Sequence, residues 1–297
     1  MDDRLSHEHD DDGVSRRDFA VLSVATGLAV GAVTSANAAD AAVVETDVMV
    51  KTPDGMCDAA YFHPATGVHP GVFVWCDAFG LRAATRGIGR RLASAGYSVL
   101  VPNPYYRVQK APVVEDASKF DFNNPTDRNK LQPLMGALSA PGAAERDTVA
   151  YVAFLDAQKE VDKSKKIGVQ GYCMGGPLMM RAASASERIG AGAAFHGGNN
   201  LVTDKPDSPH LLASKIKGRL YFAVAGSDDM RAPDVKDKLR TALADAHVQA
   251  EVELYATTIH GWCMPDMPMQ DGHPIYNQAE ADKAWTKLLA LYKAALA

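Results

Sequence analysis

Apolar positions along the chain fall into short, nearly continuous runs separated by stretches with one polar face. Gly71-Val72-Phe73-Val74-Trp75-Cys76, Tyr97 to Val101, Lys166 to Gln170, Ile189 to Phe195, Arg219 to Ala225 and Gln249 to Tyr255 have the pattern of strands buried on both faces. Between them, Thr85 to Ala95, Ala143 to Ala157, Pro177 to Ala183, Pro233 to Ala246 and Gln278 to Leu296 read as helices. The first of these turns Arg86, Arg90 and Arg91 to water and is stopped by Gly96. Strand, helix and strand in alternation predict a parallel sheet. Upstream, Val43 to Val50 and Ala59 to Phe62 flank the turn residues Thr52-Pro53-Asp54-Gly55, which predicts an edge hairpin. The expected fold class is therefore α/β: one domain over residues 39–297, with a mostly parallel sheet of about eight strands flanked by helices. Lys110 to Gly142 interrupts the alternation. It is polar and punctuated by prolines, yet holds Phe120, Phe122 and the run Leu131 to Leu138, so a short helix or a pocket cover is expected there.

The first 38 residues have a different pattern. Ser15-Arg16-Arg17-Asp18-Phe19 is a twin-arginine signature, the apolar run Phe19 to Val33 follows, and Ala36-Asn37-Ala38 is a small-residue cleavage site. Basic region, short apolar region and cleavage site in that order predict an export signal over residues 1–38, and a periplasmic or secreted product. The apolar run is too short for a comfortable membrane span, so no stable span is expected after cleavage. The leader changes how the charge is read. The whole chain has 31 basic and 36 acidic residues, net -5, but the leader holds three of the basic and seven of the acidic ones, leaving net -1. Neither value gives the basic footprint that nucleic acid requires. The leader's His7-Glu8-His9-Asp10-Asp11-Asp12 reads as a solvated tail. Cys57, Cys76, Cys173 and Cys263 show no CxxC and no zinc-type spacing, so no metal is expected.

Candidate chemistry centres on Gly171-Tyr172-Cys173-Met174-Gly175-Gly176. A strand precedes it and a helix follows, the arrangement of a G-x-S-x-G nucleophile elbow with sulfur in place of oxygen. Glycines two before and two after relieve crowding on the strained turn. The following helix aims its N-terminal amides at the sulfur, which favours thiolate. Working residues of open α/β sheets collect at the carboxyl ends of strands. Four such ends carry reactive side chains: Asp77, Cys173, Asp228 or Asp229, and His260. The order nucleophile, acid, histidine is that of the α/β-hydrolases. A thiol needs an imidazole to pass protons, and the imidazole needs a carboxylate to fix its tautomer. An oxyanion needs backbone donors, for which the amides of Met174 and Ala78 are the candidates. His196 also follows a strand and is a rival base, ranked here as a pocket wall.

With these residues in place, the chain resembles the dienelactone hydrolase (carboxymethylenebutenolidase) family of α/β-hydrolases from about Val43 to Leu296. The resemblance rests on the elbow, the Gly226-x-Asp228 turn, His260-Gly261-Trp262, and Gly96-Tyr97 with Pro102-Asn103-Pro104-Tyr105-Tyr106-Arg107. It implies Cys173 as nucleophile, His260 as base, Asp228 as its orienter, and Arg107 as a binder of a substrate carboxylate. It also implies one domain with no metal or organic cofactor. Phe79 and Trp262 are the expected aromatic substrate contacts. In the family a glutamate that helps to activate the thiol stands where this chain has Asp77, and a second arginine stands where it has Met264. Asp77 is the expected modulator of the thiol. The function expected is cysteine-dependent hydrolysis of a small ester or lactone. The alternative is a weakly catalytic binding or redox-sensing protein, since Cys76, Cys173 and Cys263 can all lie near the site.

Overall fold

The computed structural model describes residues 42–296 except 122. The expected export signal over residues 1–38 lies outside the described residues. Strands β1 (Val43–Thr52) and β2 (Gly55–Pro64) form the expected hairpin, paired from Val43↔Pro64 to Thr52↔Gly55. Both run past the apolar cores that signalled them. Gly55 takes φ +137°, which lets the two-residue turn close.

β3 (Gly71–Trp75), α1 (Ala83–Ser94) and β4 (Ser98–Pro102) form the first parallel unit. α2 (Pro125–Leu138) and α3 (Ala143–Ala157) follow, and then β5 (Ile167–Tyr172), α4 (Gly175–Ala185), β6 (Ile189–Phe195) and β7 (Arg219–Ala225). α5 (Gly226–Arg231), α6 (Val235–Asp245), β8 (Ala250–Tyr255) and α7 (Gln278–Ala295) complete the main elements. The strand order is β1-β2-β4-β3-β5-β6-β7-β8. β1, β2 and β4 pair antiparallel, and all pairs from β4 to β8 are parallel.

Period-two alternation sorts the strand residues onto two cores. Phe73, Trp75, Leu100, Val169 and Phe222 face α3, α4 and α6, where Tyr151 and Leu155 of α3 pack with them. Val72, Val74, Val101, Ala193 and Tyr221 face α1 and α7, against Leu92, Leu288 and Tyr292. Burying each large side chain of this kind contributes about 1.5–3 kcal/mol, so both faces hold the sheet rigidly under the strand ends.

The order reverses between β3 and β5. From β3 the chain steps outward to β4, then crosses back to lay β5 on the other side of β3. The carboxyl ends of these neighbours are the topological switch point, where loops diverge and leave a crevice. Residues 110–142 lie on this crossover. They are ordered into a short turn of helix at Ala117–Lys119 and the longer α2. Ala117, Phe120, Leu131, Leu134 and Leu138 belong to the same core as Trp75 and Phe79. Asn124 caps α2, accepting from Thr126 N at 2.9 Å, and Pro125 occupies its first turn, which explains why the helix starts there.

Candidate active site

The elbow forms as its glycines require. Cys173 takes φ +52°, in the left-handed region, a conformation costing a non-glycine residue about 1–2 kcal/mol. A Cβ on Gly171 would lie 1.9 Å from Gly175 O, and one on Gly175 would lie 2.6 Å from Trp75 O. Only hydrogen fits at either position, so the glycine spacing around Cys173 is a packing requirement. The turn is strapped down by Cys173 N donating to Phe195 O (3.0 Å) and Gly176 N donating to Cys173 O (3.0 Å). The thiol is half-buried in front of α4.

Asp228 and His260 arrive from β7 and from the loop after β8. Gly226 is pressed against that loop, since a Cβ there would lie 2.1 Å from Ala256 O. Two further bonds sew the pieces together: Ser227 N donates to Thr258 O (3.1 Å), and His260 N donates to Ser227 Oγ (2.9 Å). His260 Nδ1 then meets Asp228 Oδ2 at 2.8 Å and Oδ1 at 3.0 Å. Asp229 points elsewhere, to Lys236 Nζ at 2.6 Å. Of the two neighbouring acids, Asp228 is therefore the one paired with the histidine. Burial pulls the His260 pKa down, but the charge of Cys173 and hydrogen bonds with Asp228 and Cys173 outweigh it and raise the value to about 10.

Among the described residues, neither Ala78 N nor Met174 N has an acceptor. The two residues are linked through Tyr105, whose hydroxyl donates to Ala78 O at 2.8 Å and lies 3.2 Å from Met174 Sδ. In the sequence Tyr105 stands out only as part of the Pro102-to-Arg107 loop, and its spacing carries no sign of this contact.

Other expected site residues are placed differently. Asp77 follows β3 by two residues, but both its oxygens are taken by Arg82, at 2.7 and 2.9 Å, and Oδ1 also accepts from Phe79 N. Arg82 is bound on its other edge by Asp266, at 2.7 and 2.9 Å. The carboxylate expected to act on the thiol is thus charge-matched by a buried guanidinium that sequence reasoning passed over. Arg107, the expected substrate clamp, is held in ion pairs. Its guanidinium makes bonds of 2.7–3.1 Å to Asp54 in the β1–β2 turn and to Asp147 of α3, the latter fully buried. Phe79 and Trp262, the expected aromatic substrate contacts, are both buried. Phe79 is 1% exposed and packs edge-on to Phe120 at 5.0 Å; Trp262 is fully buried and stacks on Tyr255 at 4.5 Å. Met264 is buried in the same core as Trp262.

Of the three other thiols, Cys57 and Cys76 are buried and Cys263 is partly exposed. Burial pushes Cys57 and Cys76 up to about 12 and Cys263 well above its ordinary value, which keeps them protonated and poorly nucleophilic. All four cysteines are free, and no group of metal-ligating side chains occurs among the described residues. A cavity of about 310 Å³ opens beside the elbow, between Met174, Pro177 and Leu178 on one side and Met135, Leu138 and Gly142 on the other. A larger one, about 570 Å³, lies against α1 and α7, with Cys263 and Trp285 in its wall.

The profile of the dienelactone hydrolase family matches residues 57–296. The chain belongs to the dienelactone hydrolase family. Among curated relatives, a Methylorubrum extorquens protein named "Putative carboxymethylenebutenolidase" is 25% identical over 285 residues, covering 93% of this chain and 91% of its own. Among solved structures, a Klebsiella pneumoniae "Putative Dienelactone Hydrolase" superposes with TM-score 0.69 at 22% identity, over 85% of this chain and 99% of its own. The metagenomic "Dienelactone Hydrolase-like Promiscuous Phosphotriesterase P91" gives 0.68 at 21% identity, over 86% and 100%. These structural likenesses carry the fold; membership of the family makes the chain a hydrolase acting on a small molecule.

Proposed function

We propose that the chain is a cysteine-dependent hydrolase of carboxylic esters or lactones, with Cys173 as nucleophile, His260 as proton carrier and Asp228 as its orienter. The observation that carries this is the 2.8 Å contact between Asp228 and His260 beside a cysteine held at φ +52° on a glycine-flanked elbow. The thiolate attacks the ester carbonyl carbon, and its π electrons move onto the oxygen. The free amides of Ala78 and Met174 hold that oxyanion. His260 Nε2–H gives its proton to the departing alkoxide as the C–O bond breaks, leaving an acyl-thioester on Cys173. The neutral imidazole then takes a proton from water, whose oxygen attacks the thioester carbon. Thiolate departs, the acid is released, and His260 is again charged. With a lactone, the freed hydroxyl stays tethered to the acyl group, and hydrolysis of the thioester releases a single hydroxy acid.

The same residues favour a neutral substrate. Arg107 is engaged by Asp54 and Asp147, and Met264 offers no charge. The 310 Å³ cavity beside Met174, walled on one side by the end of α2 and holding Arg181 in ion pairs with Glu145 and Asp207, is of a size for a small acyl group. We further propose that this activity is exported, on the strength of Arg16-Arg17, the apolar run and Ala36-x-Ala38.

The test is rapid mixing with a neutral activated aryl ester, followed by intact-mass detection of the acyl-thioester. The wild-type protein should show a burst of one acyl group per chain. Cys173→Ala should abolish the burst, and Cys173→Ser, His260→Gln and Asp228→Asn should each lower kcat by roughly 10³-fold or more, with pairs far from additive. Full esterase activity in Cys173→Ala would sink the proposal.

A further inference from the structure

His196 has no part in the reaction just described, yet it is the side chain most closely tied to both halves of the site. It follows β6, is fully buried and takes φ +39°. Its Nδ1 lies 3.2 Å from Cys173 N, which also donates to Phe195 O, so the nucleophile's amide is held in a three-centre bond. Its ring meets that of His260 edge to face, with centroids 5.1 Å apart. Because Nδ1 accepts, the ring's proton must sit on Nε2, and that atom is buried with no partner. An orphaned buried donor is a standing cost. Phenylalanine would fill the same space without it, so packing alone does not explain a histidine here.

We propose that His196 is a positioning residue that fixes the nucleophile elbow through the Cys173 amide while remaining an uncharged neighbour of His260. This rests on the reading of Cys173 as nucleophile. The backbone at Cys173 is strained, and the amide bond to His196 opposes its relaxation toward ordinary β geometry. A small rotation there swings Sγ away from His260. Two imidazoles this close also cannot both carry a proton's charge at low cost. Burial, and then the charge of His260, hold His196 well below its ordinary pKa, so His260 is the member that is charged. Tyr172, stacked on Phe195, is the other ring facing it, and contributes no charge at working pH.

The experiment compares His196→Phe with His196→Asn. Phenylalanine keeps the ring and removes the acceptor; asparagine sets Oδ1 at the bond count of Nδ1 and restores an acceptor. His196→Phe should melt no lower than wild type. Its alkylation by iodoacetamide at Cys173 should nevertheless slow by about tenfold, and its kcat on an activated ester should fall 10- to 100-fold with KM within about twofold, the scale expected for a nucleophile displaced by a fraction of an ångström to an ångström. His196→Asn should recover both rates to within a few-fold. In the wild-type protein, nitrogen NMR should find His196 Nδ1 unprotonated and Nε2 protonated across the range where His260 is charged. A folded Phe variant with wild-type rates, equal losses in the Phe and Asn variants, or a proton on Nδ1 would each overturn the proposal. Alkylation reads the thiol directly, so it still decides the role of His196 if ester hydrolysis proves to be the wrong reaction.

Discussion

His260 carries the most informative titration in the molecule. Its pKa is raised, so the folded state holds the proton more tightly than the unfolded chain does. The stability from this group is fully present below its ordinary value near 6.5 and is lost as pH rises through about 10. Its chief support is the negative charge of Cys173, with Asp228 assisting. Cys173→Ser, which puts a neutral hydroxyl there at working pH, should therefore lower the His260 midpoint by a unit or more, measured by proton–carbon NMR of the imidazole. An unchanged midpoint would show that Asp228 alone holds the charge. Single residues are also where sequence reading reached its limit. Cys173, Asp228 and His260 could be picked out because each is a reactive type at a strand end, a local property. Arg107 and Phe79 are of the right types too, but their partners lie far along the chain: Asp147 for Arg107, Phe120 for Phe79. Whether a side chain faces a site or a neighbour depends on such non-local pairings, which no window of sequence displays. His196 and Tyr105 illustrate the converse, since their contacts with Cys173 N and Ala78 O exist only once β6 and β4 take their places.

Among the elements, the loop after β4 is tied to two of its neighbours. Arg107 joins it to the β1–β2 turn through Asp54 and to α3 through Asp147, and Tyr106 OH adds a 2.8 Å bond to Asp147. Removing one partner of a buried pair leaves the other charge stranded, at about 3–5 kcal/mol. Arg107→Ala should lower the unfolding free energy by roughly 3 kcal/mol and leave the ratio of kcat/KM for anionic over neutral esters unchanged. Denaturant melts and a paired-substrate assay check this. An unaltered melt with a selective rise in KM for acidic esters would return Arg107 to the role of substrate clamp. The elements themselves were largely legible. β6, β7 and α3 begin and end where their apolar runs do, because buried parallel strands carry their own punctuation and Gly142, at φ +73°, marks the start of α3. The Gly226-to-Arg231 stretch reads as a plain turn but closes into α5, a short helix held by the contact of Gly226 with Ala256 across strands.

At the scale of the whole chain, the family match begins at residue 57, well after residues 1–38. If residues 1–38 direct export, replacing Arg16 and Arg17 by lysine should strand the protein in the cytoplasm, seen by fractionation and by retention of the leader's mass. Export undiminished by that change would dismiss the twin-arginine proposal. The path from β4 to β5 has a wider consequence. The chain leaves the sheet beside one edge of the crevice, builds residues 110–142 and α3, and re-enters at the centre carrying the nucleophile. The part of that detour ahead of α3 reaches the cavity beside the elbow at Met135, Leu138 and Gly142, while the glycines that shape the elbow lie downstream of it. The roof can thus be rewritten through insertions and deletions while the reactive floor is inherited intact, which gives a lineage built on this plan a simple way to change what it accepts without relearning how to cut it.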